Sequence, residues 1–549
     1  MKMRWLLTWV AACFVGSLSL LLAQPPAEQP KAVVGVAFYN PDTSVKFAAA
    51  DILTVPPEER PFIRYLSLYN VPKAERKKYA AIVSFMVNSL GTRRQMYIPL
   101  FVGGSDETVI RLNIDDYEWN AKIWDKLAAN GSGVKPTPEP YFQSFIEKLE
   151  KQVETKTITK KVTKRVPVKK QEFIGYYQGR PLYKTITVYE NQVIDETIDE
   201  KVEGDPIKKR ILSAGAWVDP DAIALLQKET HAVSPILRAD WFLANAMLPP
   251  AYYDFLRLGK NIKDFENLLF ANQELAQKAR SQDKGIVVLS SVTRNNRTLL
   301  RSPTFTGGYY WISHDSLSSV EERQYVQNIL NEKFDATEDI GSLPNGLQAY
   351  FLTDGVGARL DFANPDVAID NGSIDRVVRN GRSCIVCHSD GIRPINDEIR
   401  ALTKKLLDPN EIKLLITKKE DARKIQDLFG SNLDEQIIKD QNYYAAAIGR
   451  VNGLSPVTNA KWVNEVYNNY VEIVLVRETV ARELGVPEKD LDIYLKLSND
   501  PVVLGLLRSP IRAVRRDQWE RSFQQLMLIV KLRQPVGIVP PQIVAPTHK

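Results

Sequence analysis

Residues 380–391 of the chain have the sequence Asn-Gly-Arg-Ser-Cys-Ile-Val-Cys-His-Ser-Asp-Gly, and at their centre lies Cys384-Ile-Val-Cys387-His388. The spacing Cys-x-x-Cys-His is that of a c-type haem attachment site. Two thiols three positions apart can add to the two vinyl groups of one porphyrin, and the adjacent histidine then ligates the iron as its proximal ligand. The sequence therefore predicts one covalent haem c, anchored by Cys384 and Cys387, with its iron bound to His388.

The cysteine content is consistent with this interpretation. The chain has three cysteines, and Cys13 lies in a predicted signal peptide, so a mature chain would keep only the two cysteines of the pentapeptide. Three alternatives remain. A disulfide between Cys384 and Cys387 would not need His388, and a redox-active Cys-x-x-Cys usually lies in a thioredoxin-like strand-to-helix turn, which the pattern does not show. A zinc site would need two more ligands, and the other histidines of the chain are His231, His314 and His548.

The sixth ligand of the iron is harder to assign. Many c-type cytochromes use a methionine, and Met527 is the only methionine downstream of the motif. It lies in an apolar helical stretch, which favours core packing. His231 and His314 are the other candidates, although a lone histidine is more often structural, and Met247 is a weaker one. An iron without a protein ligand on this side is the remaining alternative, and it would favour ligand binding or peroxide chemistry over simple electron transfer.

The N-terminus has the pattern of an export signal. Lys2 and Arg4 precede the apolar run Trp5–Leu22, and Ala23 is a suitable cleavage position. The run is close to membrane-spanning length, so an uncleaved anchor that attaches the protein to a membrane stays an alternative. Because covalent haem is installed outside the bacterial cytoplasm, the signal and the motif both predict an exported protein of the periplasm or cell envelope.

The bulk composition is that of a globular chain. Its 549 residues are 44% hydrophobic and 25% charged, with a formal net charge of +6. This length corresponds to roughly two to four domains, or to one large core with additions, and no basic stripe indicates a nucleic-acid partner. We expect a multi-domain α+β protein with a mainly α-helical, cytochrome c-like C-terminal part that bears the haem.

Changes in pattern along the chain suggest seven regions. In order, these are a signal peptide (1–23), a Pro-rich lead-in (24–45), an N-terminal α+β region (46–150), a charged β-ribbon (151–210), a middle α/β region (211–340), the mainly helical haem region (341–533) and a Pro-rich tail (534–549).

Local signals place individual elements within these regions. Helical periodicity runs from Asp51 to Leu90, and Tyr97–Val102 with Thr108–Leu112 forms a hairpin pattern. Asp219 or Asp221 is suited to cap a helix. A helix over Glu478–Leu484 should end at Gly485, and Asn396 should begin another. Strands are expected over Ile286–Val292, Gly307–Ser313 and Leu347–Thr353.

The ribbon has an uneven charge pattern. Lysine and arginine dominate its first strand, and aspartate and glutamate dominate a later part. Cross-strand charge pairing explains this arrangement more simply than a docking surface does.

Several segments share their order and spacing with a known pattern: Arg64–Asn70, Leu112–Trp119, Ile236–Phe242, Arg294–Arg297, Ser342–Tyr350, Asn380–His388 and Asp397–Arg400. Together they resemble a family of large, exported, single-haem cytochrome c-like bacterial proteins. The resemblance covers most of the mature chain and implies a haem c protein of the periplasm or cell surface, without an established substrate. The residues carried over by this resemblance are Cys384, Cys387 and His388. Relative to the family pattern, 151–210 is an insertion.

Three functions follow from the sequence as hypotheses. The first is electron transfer, with a redox partner protein or a small-molecule substrate. The second is a haem oxidoreductase, similar to a peroxidase, with an open distal site. The third is a non-redox binding or scaffold protein of the envelope, in which the motif forms a disulfide. No G-x-S-x-G, H-E-x-x-H or P-loop motif suggests another chemistry.

Overall fold

The computed structural model describes most of the chain from residue 40 to residue 533. The described ranges are 40–102, 107–131, 147–210, 218–270, 283–287, 297–315, 334–371, 375–395, 433–471, 474–508 and 512–533, with single positions at 373 and between 420 and 429. The predicted signal peptide, most of the lead-in, the tail, His548 and the helix start at Asn396 lie outside them.

The first sheet contains a strand that the periodicity did not predict. Strand β1 (Ile63–Ser67) pairs antiparallel with β3 (Val109–Asn113) and parallel with β6 (Ile236–Arg238), and β2 (Leu100–Val102) extends the sheet beside β3. The prediction of continuous helix from Asp51 to Leu90 is therefore wrong in its middle. All five residues of β1 are buried between two neighbouring strands, and a fully buried strand has no alternating pattern. The hairpin of β2 and β3 is confirmed.

Residues 147–210 form a two-stranded antiparallel ribbon. Its strands are β4 (Glu147–Tyr177) and β5 (Arg180–Arg210), joined by Gln178 and Gly179. Ion pairs cross between the strands from Lys164 to Glu196 and from Lys170 to Glu190. Cross-strand charge pairing, as predicted from the alternating pattern, is present in the ribbon.

A five-stranded antiparallel meander lies next in the chain. Its spatial order follows the sequence, β7 to β11, with the bounds Asp283–Val287, Arg297–Pro303, Tyr309–Asp315, Ala336–Ser342 and Gln348–Asp354. Alternate residues of each strand point to opposite faces. One face packs on the helix Ile262–Phe270, where Phe265 stacks on Phe351 with ring centroids 5.4 Å apart. The opposite face carries Tyr350 and Trp311.

Helices surround these sheets. In chain order they are α1 (Pro41–Ile52), α2 (Arg76–Ser89), α3 (Ala121–Asn130), α4 (Pro220–Thr230), α5 (Ala239–Ala246), α6 (Ala251–Phe255), α7 (Ile262–Phe270), α8 (Arg382–Cys387), α9 (Leu433–Asn452), α10 (Pro456–Val471), α11 (Arg477–Leu484), α12 (Leu491–Leu495), α13 (Pro501–Arg508) and α14 (Arg516–Leu532), and two short strands, Leu475–Val476 and Ala513–Val514, pair with each other. Among the described helices, none has both the length and the apolar composition needed to cross a bilayer.

Helix ends follow the predicted capping signals where these are described. The Asp219 side chain accepts hydrogen bonds from the backbone N–H groups of Asp221 and Ala222, at 3.0 and 3.2 Å, and so caps α4. Helix α11 ends at Gly485, which has a φ of 65°. The Asp219 side chain thus satisfies N–H groups left free at the start of a helix, and Gly485 adopts the left-handed conformation in which helices commonly end.

The core shows how distant parts of the chain meet. One hydrophobic cluster contains Ile385 of α8 together with residues of α2, α5, α9 and the meander, and it extends from Leu66 to Tyr470. A second cluster combines α1 with α11 to α14 and contains Met527. The haem-motif helix therefore shares its core with N-terminal helices. The mixed α+β class is confirmed, and a cytochrome c-like fold for 341–533 stays a prediction.

Candidate functional site

Helix α8 begins at a tightly enclosed turn. Gly381 has a φ of 78°, and a Cβ atom there would lie 2.5 Å from the carbonyl oxygen of Met247 and 2.6 Å from the Tyr252 ring. The preceding Asn380 is fully buried, and its amide group donates to the Tyr253 hydroxyl at 2.8 Å and to the Tyr350 carbonyl at 3.1 Å. Only glycine fits at position 381, and the asparagine fixes where the motif helix starts.

The three motif side chains lie on one side of this helix. Cys384, Cys387 and His388 occupy positions i, i+3 and i+4, which are neighbours on a helical surface. All three are half-buried, whereas Ile385 and Ser389 between and beside them are 1% exposed. Both cysteines are free thiols. The helix is thus anchored in the core by one side and presents its sulfur atoms and imidazole on another.

The His388 imidazole is held by a backbone carbonyl. Its Nδ1 atom lies 3.1 Å from the Gly391 oxygen, and because a carbonyl only accepts hydrogen bonds, Nδ1 carries the proton. The tautomer inferred from this contact leaves the Nε2 lone pair for a metal. Burial lowers the pKa of His388, which favours the neutral imidazole that metal ligation requires.

Gly391 has a backbone conformation that suits glycine. Its φ is 115°, and a Cβ atom would lie 3.3 Å from the Tyr444 ring. The next residue, Ile392, accepts a hydrogen bond from the Gln441 side chain at 2.7 Å. Helix α9 therefore holds the loop that orients His388.

The thiols are electrostatically unlike those of redox-active cysteines. Burial raises the pKa of Cys384 and of Cys387, and the Glu338 carboxylate raises both further. Redox-active Cys-x-x-Cys sites depend on a lowered thiol pKa. The surroundings of Cys384 and Cys387 therefore do not favour thiol–disulfide exchange chemistry.

One face of the meander lies towards the motif. The Tyr350 ring packs 6.1 Å from the His388 ring, centroid to centroid. Tyr350 pairs with Ile340 across the sheet, and Glu338 pairs with Leu352, so Glu338 and Tyr350 share that face. The Glu338 Oε1 atom is buried without a hydrogen-bond partner in the described part of the chain.

Glu338 belongs to a cluster of three ionisable groups. Arg297 binds both oxygens of Asp315 at 2.9 Å and reaches Glu338 at 3.2 Å. Burial raises the pKa of Asp315 to about 7, and the Glu338 carboxylate also raises it, against the opposing effect of Arg297. Two carboxylates thus share one guanidinium near the motif. Sequence reasoning missed this cluster, although the acidic residues of the strand Ala336–Ser342 were a signal of a polar sheet face.

The distal candidates lie on other elements. His314 pairs with Thr337 on the meander face opposite to Tyr350, and its ring stacks on Phe334 at 3.9 Å. His231 is exposed at the end of α4, and Met527 is buried in the second hydrophobic cluster. The backbone of Met247, the weakest sequence candidate, is next to Gly381. The structure brings none of the three favoured candidates into contact with the motif residues through a described interaction.

The residues of the motif fit a covalent haem. Two sulfur atoms and a neutral imidazole with a free Nε2 lie on one helix side, and all three keep accessible surface. The structure supplies no further ligands for a zinc site. Among the described residues, no group of three or more His, Cys, Asp or Glu side chains is arranged to hold a metal ion.

The resemblance to exported single-haem proteins stays a prediction from the sequence. No protein-family model matches the chain, and neither a curated protein nor a solved structure matches it at a significant level.

Proposed function

We propose that the protein is an exported c-type haem protein that acts in electron transfer. Cys384 and Cys387 would hold the haem through thioether bonds, each formed by addition of a thiol S–H across one vinyl group, and His388 would ligate the iron through Nε2. The observation that carries this proposal is the His388 imidazole, hydrogen-bonded at Nδ1 by Gly391 and placed beside two thiols on one helix side.

The surroundings of the motif support a redox role. Bound haem iron would supply one-electron chemistry, with a potential set by its ligands and by the dielectric of the site. Tyr350 packs beside His388, and the Gly391 carbonyl increases the basicity of the imidazole by accepting a hydrogen bond from its Nδ1–H group. These contacts would hold the His388 imidazole in one orientation, so that its position would change little when the iron is oxidised or reduced.

Export is part of the same proposal. The segment 1–23 would direct the chain to the periplasm or envelope, and an uncleaved segment would tether it to the membrane. The electron donor or acceptor would be a partner protein or a small molecule that reaches the half-buried motif.

The absorption spectrum of the protein, co-expressed with the c-haem maturation machinery, tests this proposal. A low-spin, six-coordinate spectrum supports electron transfer. A double variant, Cys384→Ser with Cys387→Ser, should lose covalent haem, whereas Asp366→Asn, an exposed change in the preceding loop, should keep it. A wild-type protein without a Soret band would contradict both haem functions and favour the scaffold alternative.

A second candidate function is a haem oxidoreductase with an open distal site. The cluster of Arg297, Asp315 and Glu338 favours it, because general acid–base catalysis needs ionisable groups within reach and Glu338 lies on the sheet face beside the motif. A high-spin spectrum that shifts with cyanide or peroxide supports this candidate. Glu338→Gln should then slow the reaction with peroxide by about 10²-fold or more, and a spectrum insensitive to both ligands would contradict it.

A further inference from the structure

The far end of the ribbon carries an exposed apolar cluster. Phe173, Ile174, Leu182 and Tyr183 flank the turn at Gln178 and Gly179, and they are 49%, 57%, 43% and 54% exposed. Phe173 and Tyr183 are cross-strand partners whose rings meet edge to face at 5.8 Å. Large apolar side chains grouped in this way usually mark an interaction site.

These side chains point in two directions. Leu182 and Tyr183 are consecutive on β5 and pair with Gly175 and Phe173, and successive strand residues point to opposite faces. Ile174 lies at a shift in the register between Phe173 and Gly175. Both faces of the ribbon end are therefore apolar. A single flat protein surface covers only one face of such a ribbon, whereas a fluid phase can surround both.

The net charge at this end of the ribbon is positive. Between residues 162 and 193 the chain has the basic residues Lys164, Arg165, Lys169, Lys170, Arg180 and Lys184 and only two acidic ones, Glu172 and Glu190. Lys170 is paired with Glu190. In the described structure, Lys169, Arg180 and Lys184 form no ion pair, although Lys184 has Glu172 as its cross-strand partner. Lys169 and Arg180 pair with Thr187 and Tyr177, so neither has an acidic residue directly across the ribbon.

The ribbon gives this end a long reach. Each strand has 31 residues, and at about 3.3 Å per residue the ribbon extends roughly 100 Å. In the described part of the chain, the extensive packing partner of each ribbon strand is the other strand. No other described element covers the apolar end extensively.

We propose that the ribbon end binds the surface of an anionic lipid bilayer. The aromatic and aliphatic side chains on both faces would enter the boundary between headgroups and acyl chains, where amphipathic aromatic residues are favoured. Lys169 and Lys184, further from the turn, and Arg180, beside it, would be attracted by the negative surface potential of the lipid phosphates. This inference does not depend on haem, so it can fail or succeed independently of the proposed function.

Co-sedimentation of the full-length purified protein with vesicles tests the inference. Vesicles containing phosphatidylglycerol are compared with vesicles of phosphatidylcholine alone, and hydrogen exchange of the ribbon is measured with and without vesicles. We expect binding to the anionic vesicles, weakened by added salt, with new protection confined to residues near the turn.

Matched variants locate the contact. Phe173→Ser with Ile174→Ser should weaken vesicle binding about tenfold or more. Tyr189→Ser with Val193→Ser removes comparably exposed side chains, 61% and 65%, further along the ribbon and should change binding little. The triple variant Lys169→Gln, Arg180→Gln and Lys184→Gln keeps the apolar cluster and should lose the preference for anionic lipid.

Three results would overturn the inference. The first is a failure of the wild-type protein to bind either kind of vesicle. The same conclusion follows if the ribbon end binds another protein and no vesicle. The second is vesicle binding that the Phe173 and Ile174 changes leave intact, which would place the contact elsewhere, such as the N-terminal segment. The third is equal binding to both kinds of vesicle that the triple charge variant does not alter.

Discussion

The Nδ1 atom of His388 and the carbonyl oxygen of Gly391 lie 3.1 Å apart, three positions apart in the chain. This contact fixes both the tautomer and the direction of the imidazole. It depends on Gly391, whose φ of 115° brings the carbonyl back towards the helix end. The loop after the motif thus holds the imidazole in the orientation that the proposed iron ligation would need.

Removal of the imidazole should separate haem attachment from iron ligation. In His388→Gly the two thiols remain, so covalent haem should still form, but the iron should lose its proximal ligand and shift to a high-spin spectrum. Added imidazole should restore the original spectrum by occupying the space left by the side chain. The absorption spectrum with and without imidazole measures this.

His231→Gly is the matched control, because His231 is an exposed histidine at the end of α4. Its spectrum should equal that of the wild type. An unchanged spectrum in His388→Gly would refute the assignment of the proximal ligand.

Two glycines with similar backbone angles should differ in their tolerance of alanine. Gly381 and Gly453 have φ values of 78° and 70°, but only Gly381 has a neighbouring atom within 3.0 Å of the added Cβ position. Gly453→Ala should cost about 1–2 kcal/mol for the left-handed conformation alone. Gly381→Ala should cost about 3 kcal/mol or more, because the enclosing Met247 and Tyr252 must also move. Equal free energies of unfolding in urea would contradict the enclosed turn.

A buried ion cluster should dominate the stability of the contact between β6 and the C-terminal helices. Glu483 bonds Arg238 at 3.2 Å and Arg516 at 2.8 Å, and all three side chains are at most 9% exposed. Glu483→Gln should lower the free energy of unfolding by about 3–5 kcal/mol, because two arginines lose a buried partner.

The exposed pair of Glu478 and Arg482 on the same helix provides the control. Glu478→Gln should cost no more than about 0.5 kcal/mol. The free energies of unfolding of both variants are measured in urea. A loss below about 1 kcal/mol for Glu483→Gln would show that the buried cluster does not stabilise the fold.

The cluster beside the motif should make stability depend on pH. The pKa of Asp315 is raised to about 7 in the folded protein, compared with about 3.9 in an unfolded chain. The folded state therefore binds more protons between pH 4 and 7, and the free energy of unfolding should fall as pH rises through that window. Asp315→Asn should remove this part of the slope, and the exposed Asp366→Asn should retain it. The free energy of unfolding is measured in urea at pH 5 and pH 8. An equal change between these pH values in the wild type and in Asp315→Asn would contradict the raised pKa of Asp315.

Local signals in the sequence predicted those features that depend on neighbouring residues. The cap at Asp219, the helix end at Gly485 and the hairpin of β2 and β3 each follow from a few adjacent residues, and all are present. Strand β1 was missed because burial on both sides removes the alternation that reveals a strand. No local pattern could show that Ile385 shares a core with residues of α2 and α5, since those helices lie more than 100 residues away in the chain.

The candidate site likewise contains residues that a local motif predicts and residues that only the strand register brings to the motif. The motif made Cys384, Cys387 and His388 candidates, because covalent haem attachment would demand a fixed spacing. Glu338 and Tyr350 became candidates only when the register of two strands placed them on one sheet face towards the motif. His314 was a reasonable candidate by residue type, but the same register puts it on the opposite face.

Intact mass combined with a pyridine haemochrome spectrum tests the central claim most directly. The protein is purified after co-expression with the c-haem maturation machinery and denatured before measurement. Covalent attachment through Cys384 and Cys387 predicts a mass increased by one haem that survives denaturation, and a haemochrome spectrum of the two-thioether type. A denatured chain with the mass of the bare polypeptide, or with that mass less two hydrogen atoms lost to a Cys384–Cys387 disulfide, would contradict it.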